Sequence, residues 1–425
     1  MWAKFYRSAY DILPKQKLFD KSMRKRREQI FFAKAIFDER EIKAVVDCLK
    51  DGWLGTGKIT ESFERRFAKY IGMPYASLVN SGSSANLLAV RALKLPEGSK
   101  VLTCAAGFPS TLSPIWHSHL QIVAVDLDLK SLNIDLDRVE QALMKHKDIK
   151  AIIFAHTLGN PVDMKRVMHL ASKFKLQIIE DNCDGLGSEI YGKKTGSFGN
   201  FSTCSFYASH HMTLAGAGGI VLSRTKKSAF RVKSLKEWGK EQVTIGYDRD
   251  HGVYFDSKSN GVPYDHRYSY PEVGYNFKVP EIMAAFGLVQ MDRLEDFYKH
   301  RRKNFKYLES KLSKFGDFFH FIEVLPEANP SWFNFPITLR DKAPFNRKDL
   351  VEFLENNKIR TRLFFAGNIL RQAGFKSMPV DLVGGLETAD KIHRDSFLLG
   401  VHPSQTKEML DYMVDAIEEF IKTHK

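Results

Sequence analysis

The stretch "KAIIFAHTLGNPVDMKRVMHLASKFKLQIIEDNCDGLGS", residues 150–188, decides the fold. Two short apolar runs, "KAIIFAH" and "LQIIED", flank "DMKRVMHLASKFK", a helix-like segment. Neither run alternates apolar with polar residues, so both read as strands buried on two faces. A helix between two such strands is the crossover that parallel pairing requires. The stretch is one strand–helix–strand unit of an α/β sheet.

The same alternation continues outward in both directions. "KVLTC", "QIVAVD", "FSTCSFY" and "GGIVLS" are further buried strands, and "NSGSSANLLAVRALKL" is a glycine-serine turn running into a helix. "FDEREIKAVVDCLKDG" offers Asp38 as an N-cap with Glu41 three residues on. Ile42, Val45, Val46 and Leu49 follow at helical spacing, and Gly52 ends the run. These features predict a large α/β domain with a mostly parallel sheet covered by helices. Residues 236–270 break the pattern with aromatic, glycine and charged residues of no sustained period, and read as a long ordered loop. "EIMAAFGLVQMDRLEDFYKHRRKNFKYLESKL" follows as a long helix pattern, and then a smaller α/β domain. In "TKEMLDYMVDAIEEFIKT" the residues Met409, Leu410, Met413, Ala416, Ile417 and Phe420 mark one apolar helix face. The expected division is a basic N-terminal extension (1–35), a large domain (36–290) and a small C-terminal domain (291–425).

Composition narrows the class. No apolar run approaches the ~18–20 residues of a membrane helix. "MWAKFYRSAYDILPKQKLFDKSMRKRREQ" lacks the apolar core and cleavage site of a signal peptide, which points to a cytoplasmic protein. The four cysteines, Cys48, Cys104, Cys183 and Cys204, are scattered without a CxxC pair and fit buried thiols in a reducing compartment. Lys and Arg exceed Asp and Glu by 64 − 50 = 14. They are spread among acidic residues, with one dense run, "KSMRKRR". That spread argues against nucleic acid and for a field favouring anionic small molecules.

Three pieces point to an anionic aromatic ligand. Gly82, Ser83 and Ser84 sit just before a helix, where small residues let backbone N–H groups approach a phosphate; a plain loop-to-helix cap looks the same. Asp181 ends a buried strand, where ligands of parallel sheets sit. Its carboxylate suits a protonated heterocycle nitrogen, or else an N-cap or loop ion pair. The third piece is "SFYASHHMT", a buried strand ending in two histidines, His210 and His211. A dinuclear metal reading of that pair is poor, since no partner stands at ligand spacing.

In order, "NSGSSAN", "CAAGFPSTLSP", "AHTLGNPVDM", "IIEDNCDGLGS", "SFYASHHMT" and "GYNFKVPEIMAAFGLVQM" resemble the sugar-nucleotide aminotransferase family of fold-type I pyridoxal-phosphate enzymes, from about residue 36 to the C-terminus. The resemblance implies a seven-stranded, mostly parallel sheet and a homodimer with shared active sites. In that family the strand carrying Ser205 is followed by a lysine that binds the cofactor covalently. Counting from "SFY", that position is His210. Imidazole forms no such bond but still moves protons near neutral pH. The sequence therefore resembles the histidine-containing 3-dehydratase branch. "TCAAGFP", "IEDNCD", "HHMT", "PYDHRY" and "TRLFFAGNILRQ" look most like its CDP-6-deoxy-4-ketohexose 3-dehydrases.

By motif match, His210 is the catalytic base, and Gly82, Ser83, Ser84, Phe108, Asp181, Asp184, Ser205 and Asn276 are cofactor-binding. Of these, Asn276 reaches the neighbouring subunit's cofactor. His211, Trp238, His266, Arg362 and Asn368 are the substrate-side candidates, His211 with a structural alternative. Those dehydrases carry an iron–sulfur cluster on cysteines of the loop after the "WG" motif. Trp238 to Tyr270 contains no cysteine, so no cluster is expected. Ala217 stands where relatives usually carry an acidic residue. The resemblance then shifts to GDP-4-keto-6-deoxymannose 3-dehydratases, which have no cluster. It implies PLP/PMP as cofactor, a CDP- or GDP-linked 4-keto-6-deoxyhexose as substrate and glutamate as amino donor. It implies no nucleic-acid or membrane partner. A cluster-free enzyme served by an external reductase and a catalytically inactive nucleotide-sugar binder are the alternatives.

Overall fold

The alternation of side chains along the central strands shows how the sheet is buried. In the computed structural model, Ala151 and Ile153 pack on one face with Leu88, Leu112 and Val232, while Ile152 and Phe154 pack on the other with Leu143, Val167 and Leu170. Both faces are therefore apolar, and each fully buried Ile, Leu or Phe contributes roughly 1.5–3 kcal/mol. The structure describes residues 29–241, 255 and 257–424; the basic run at 21–27 and the loop residues 242–254 and 256 lie outside the described residues.

Strands run in the order Tyr75–Val79 (β1), Lys100–Cys104 (β2), Gln121–Val125 (β3), Ile149–Ala155 (β4), Gln177–Asp181 (β5), Phe201–Ser205 (β6) and Gly219–Ser223 (β7). A second group comprises Phe319–His320 (β8), Asn334–Leu339 (β9), Thr361–Leu363 (β10), Val380–Leu382 (β11) and Ser396–Gly400 (β12). The large sheet has the order β1-β7-β6-β5-β4-β2-β3-β11, and only β7 runs antiparallel to its neighbours. It has eight strands rather than seven. The eighth comes from the C-terminal part of the chain, where Val380 pairs with Ile122, and its three residues are too few to show as an apolar run. β8, β9, β12 and β10 form a separate antiparallel sheet.

The helices follow the local signals. In α1 (Glu39–Asp51) the Asp38 backbone N–H donates to Glu41 (2.9 Å), closing a capping box, and Gly52 ends the helix at φ 81°. Helix α2 spans Lys58–Ile71 and α3 spans Gly82–Ala92, starting at the carboxyl edge of the sheet. The long helix expected after residue 280 is two helices, α4 (Glu281–Asp292) and α5 (Leu294–Leu312), broken at Arg293. Arg293 donates to buried Glu41 (3.0 Å), which also accepts from Gln290, so α1 is tied to the break. The last helix, α6 (Lys407–Thr423), buries Leu410, Met413, Ala416, Ile417 and Phe420 as its spacing predicts, with Met409 partly buried. Among the described residues no helix is long and apolar enough to cross a membrane.

Candidate active site

The parallel strands share a carboxyl edge, and their ends converge on a cavity of about 1160 Å³. Its floor is built from strand-ending turns. Asp181, the last residue of β5, is buried and held from two sides. Asn86 Nδ2 (2.8 Å) and Thr111 Oγ1 (2.7 Å) donate to Oδ2, and the Cys183 N–H donates to Oδ1 (3.2 Å). This fixes the carboxylate in place before any ligand arrives.

Ser81 caps α3 and leads into Gly82 and Ser83 on the cavity wall beside Ser205 at the end of β6. A Cβ on Gly82 would lie 2.6 Å from the Ser205 Cβ, so the close approach of β6 to the helix N-terminus requires glycine. The helix start, its free N–H groups and two serines form an anion cradle. Ser84 does not line the cavity. Its N–H and hydroxyl both meet Ser81 Oγ, at 3.1 and 3.0 Å, so it belongs to the cap.

His210 lines the cavity in the turn after β6, its N–H donating to the Tyr207 carbonyl (2.9 Å). The imidazole stacks on Phe333, with centroids 4.8 Å apart and planes 24° off parallel. Burial pushes its pKa down to about 4, with the Arg301 guanidinium adding to the effect, so the ring is neutral. Arg301 is itself buried and donates to the Phe333 (2.8 Å) and Trp332 (3.3 Å) carbonyls, with a longer contact to that of His210 (3.4 Å). Asp184 also lines the cavity. Burial, reinforced by the nearby Asp181 charge, pushes its carboxyl up to about 8.

His211 turns away. It is buried, its Nε2 is 3.0 Å from Ser331 Oγ and 3.2 Å from the Ser331 carbonyl, and it packs edge-on to Tyr298. Phe108 is exposed within the cavity and meets Phe365 edge-on at 6.3 Å. Arg362 lines the cavity with its guanidinium 5.4 Å over the Phe32 ring. Asn368 does not reach it. Its amide donates to Asp390 (2.7 Å) and accepts from the Leu370 N–H (3.1 Å), so the side chain is occupied in holding the turn after β10. Trp238, under Lys278 at 4.2 Å, and His266 in a 3₁₀ turn also lie outside the cavity lining. Asn276 is exposed, away from this chain's own cavity, and pairs by backbone with Glu237.

Sequence reasoning missed Phe333, Phe365, Arg360 and the segment 29–35, which all line the cavity except Ile30. The aromatic density of "SWFNFP" was a signal for the first. The segment 29–35 gave none, because it reaches the site through long-range pairing of Ile30 with Ile359.

The residues present fit a pyridoxal-type cofactor: a pre-held buried carboxylate, an anion cradle that excludes a Cβ, and aromatic side chains lining the same cavity. Comparison with known proteins places the chain in a class with that chemistry. The profile of the DegT/DnrJ/EryC1/StrS aminotransferase family matches residues 35–418, and the chain belongs to this family. The lipopolysaccharide biosynthesis protein RfbH of Salmonella typhimurium is 40% identical over 91% of this chain and 90% of its own length. The dTDP-4-dehydro-2,6-dideoxy-D-glucose 3-dehydratase of Saccharopolyspora spinosa is 37% identical over 91% of this chain and 85% of its own. Among solved structures, the E. coli GDP-4-keto-6-deoxy-D-mannose-3-dehydratase with bound hydrated PLP superposes with a TM-score of 0.82. The two are 26% identical over 92% of this chain and all of the other. The fold is that of the fold-type I pyridoxal-phosphate enzymes.

Proposed function

We propose that the protein removes the C-3 hydroxyl of a nucleotide-linked 4-keto-6-deoxyhexose, using PLP/PMP held in this cavity. The observation that carries the reading is His210, a neutral imidazole on the cavity wall where an aminotransferase of the family places its lysine. Two relatives named as 3-dehydratases of dTDP- and GDP-linked ketosugars support it.

Asp181 would hold the ring nitrogen, Gly82, Ser83 and Ser205 the phosphate, and Phe108 the ring face, while Asp184 would stand by the ring hydroxyl. Asn276 would serve the cofactor of a second subunit in a homodimer. The bound cofactor supplies an amine for the C-4 ketone and an electron sink that lets the C-3 hydroxyl leave. His210 moves the proton: its uncharged ring accepts one, and Phe333 fixes the plane in which it does so. Because histidine carries no amine, it leaves elimination rather than transamination as the productive course. The nucleotide is CDP or GDP in this reading, the product is a 3-deoxy ketosugar released by hydrolysis, and glutamate restores the amine form of the cofactor. A solved relative with a trapped PLP-glutamate geminal diamine supports the last point.

Purified protein incubated with pyridoxamine phosphate and a panel of CDP-, GDP- and dTDP-4-ketosugars tests the proposal. Replacement of the C-3 hydroxyl by hydrogen, with glutamate converted to 2-oxoglutarate and ammonia released in equal amount, is the expected result. Formation of only 4-amino sugar would overturn it. Stoichiometric iron and sulfide, with a strict need for NADH and a second protein, would overturn the cluster-free course.

A further inference from the structure

The two nitrogens of the His210 ring have different surroundings. Among the described residues Nδ1 is buried and has no hydrogen-bond partner, an expensive state for a polar atom. It lies 3.9 Å from Asp184 Oδ1, within a small side-chain rotation of a hydrogen bond. Asp184 is steered there by the Leu158 N–H, which donates to its other oxygen (3.3 Å). Both side chains border the same cavity. Two groups that share a wall, with an unpartnered ring nitrogen 3.9 Å from the other's carboxyl, form a base with its orienting partner.

We propose that Asp184 is the positioning residue for His210, sharing one proton with Nδ1 and thereby deciding whether Nε2 is free to act as a base. The inference rests on the reading of His210 as the base. The sign follows from the groups that face the pair. Asp181 repels a charge on Asp184. Arg301 favours that charge but opposes one on His210, the Cys183 backbone facing the ring favours a proton there, and the buried Cys183 thiol and the buried His211 stay neutral. Below about pH 8 Asp184 is protonated, its O–H donates to Nδ1, and the ring proton sits on Nε2. Above it the Asp184 proton passes to solvent. The ring proton then moves to Nδ1 by exchange with water, donates to the carboxylate and frees Nε2.

Nitrogen-15 NMR of the full chain labelled at histidine reads this directly, with the His210 signals identified by their loss in His210→Asn. The wild-type ring should change from the Nε2–H to the Nδ1–H tautomer around pH 8. Asp184→Asn, which keeps the shape, should abolish the change, and Asp184→Glu should restore it in part. One tautomer from about pH 6 to about pH 10 in the wild type, or an unaltered switch in Asp184→Asn, overturns the proposal. Failure to dehydrate any ketosugar would sink the functional reading while leaving this switch in place, so the two failures are separable.

Discussion

The floor and the rim of the cavity are built in different ways. Each floor residue stands at the end of its own strand or the start of the next helix: Gly82 after β1, Asp181 closing β5, Ser205 closing β6. The rim gathers Lys34, Tyr207, Arg360 and Arg362 from segments far apart in the sequence. A strand end is a fixed point of the sheet, so a group placed there keeps its position through ligand exchange. Rim side chains hang from loops and an edge strand, where contacts with a variable substrate belong. On the proposed function, the floor would hold what is common to a family of reactions and the rim would select among substrates.

If that division holds, substitutions on the floor should damage chemistry and those on the rim should damage affinity. His210→Lys should have the largest effect. Dehydration should fall at least ~10²-fold, the usual scale for losing a placed acid–base group. The protein should turn yellow as the new amine captures the cofactor, and borohydride should fix the cofactor to Lys only in this variant. Finding it reduced onto a lysine of the wild type would contradict the assignment. Asp181→Asn comes second. Losing a charge-assisted hydrogen bond of about 1.5–3 kcal/mol should weaken cofactor binding roughly tenfold to a hundredfold, measured by equilibrium dialysis. Arg362→Ala, on the rim, should raise the KM for ketosugar several-fold and leave kcat nearly unchanged. An equal fall in kcat would move Arg362 to the chemical step. The smallest effect on turnover is expected for His211→Ala, whose cost should appear as about 1–3 kcal/mol of stability in denaturant unfolding, from lost packing and the Ser331 contact. If His211→Ala abolishes dehydration while His210→Lys preserves it, the base is His211.

The same division explains what could be read before the structure. Asp181 and Ser205 were legible because each closes a short apolar run that marks a buried strand, and Ser83 because it stands in a glycine-serine turn just before a helix pattern. The capping box at Asp38 and Glu41 and the apolar face of α6 are equally local. The Arg293 break was not legible, since it depends on Glu41 arriving from a helix 252 residues away in sequence. Asn368 looked like a substrate ligand because its motif matched, but a motif does not show that Asp390 takes the amide. Phe333 and the 29–35 segment acquire their place only through tertiary pairing.

The eighth strand has a consequence for how the molecule comes into being. β3 and β11 pair residues such as Ile122 and Val380, and among the described residues β3 has no other neighbour on that side. During synthesis its outer amides and carbonyls wait unpaired until most of the polypeptide has left the ribosome, a long exposure for a sticky edge. The strand that finally closes it is a poor template for further addition: three residues long, entered through Pro379 and carrying Asp381 at its centre. The chain thus ends its sheet with a stopper made late, and a nascent chain cut short before residue 380 should aggregate rather than fold.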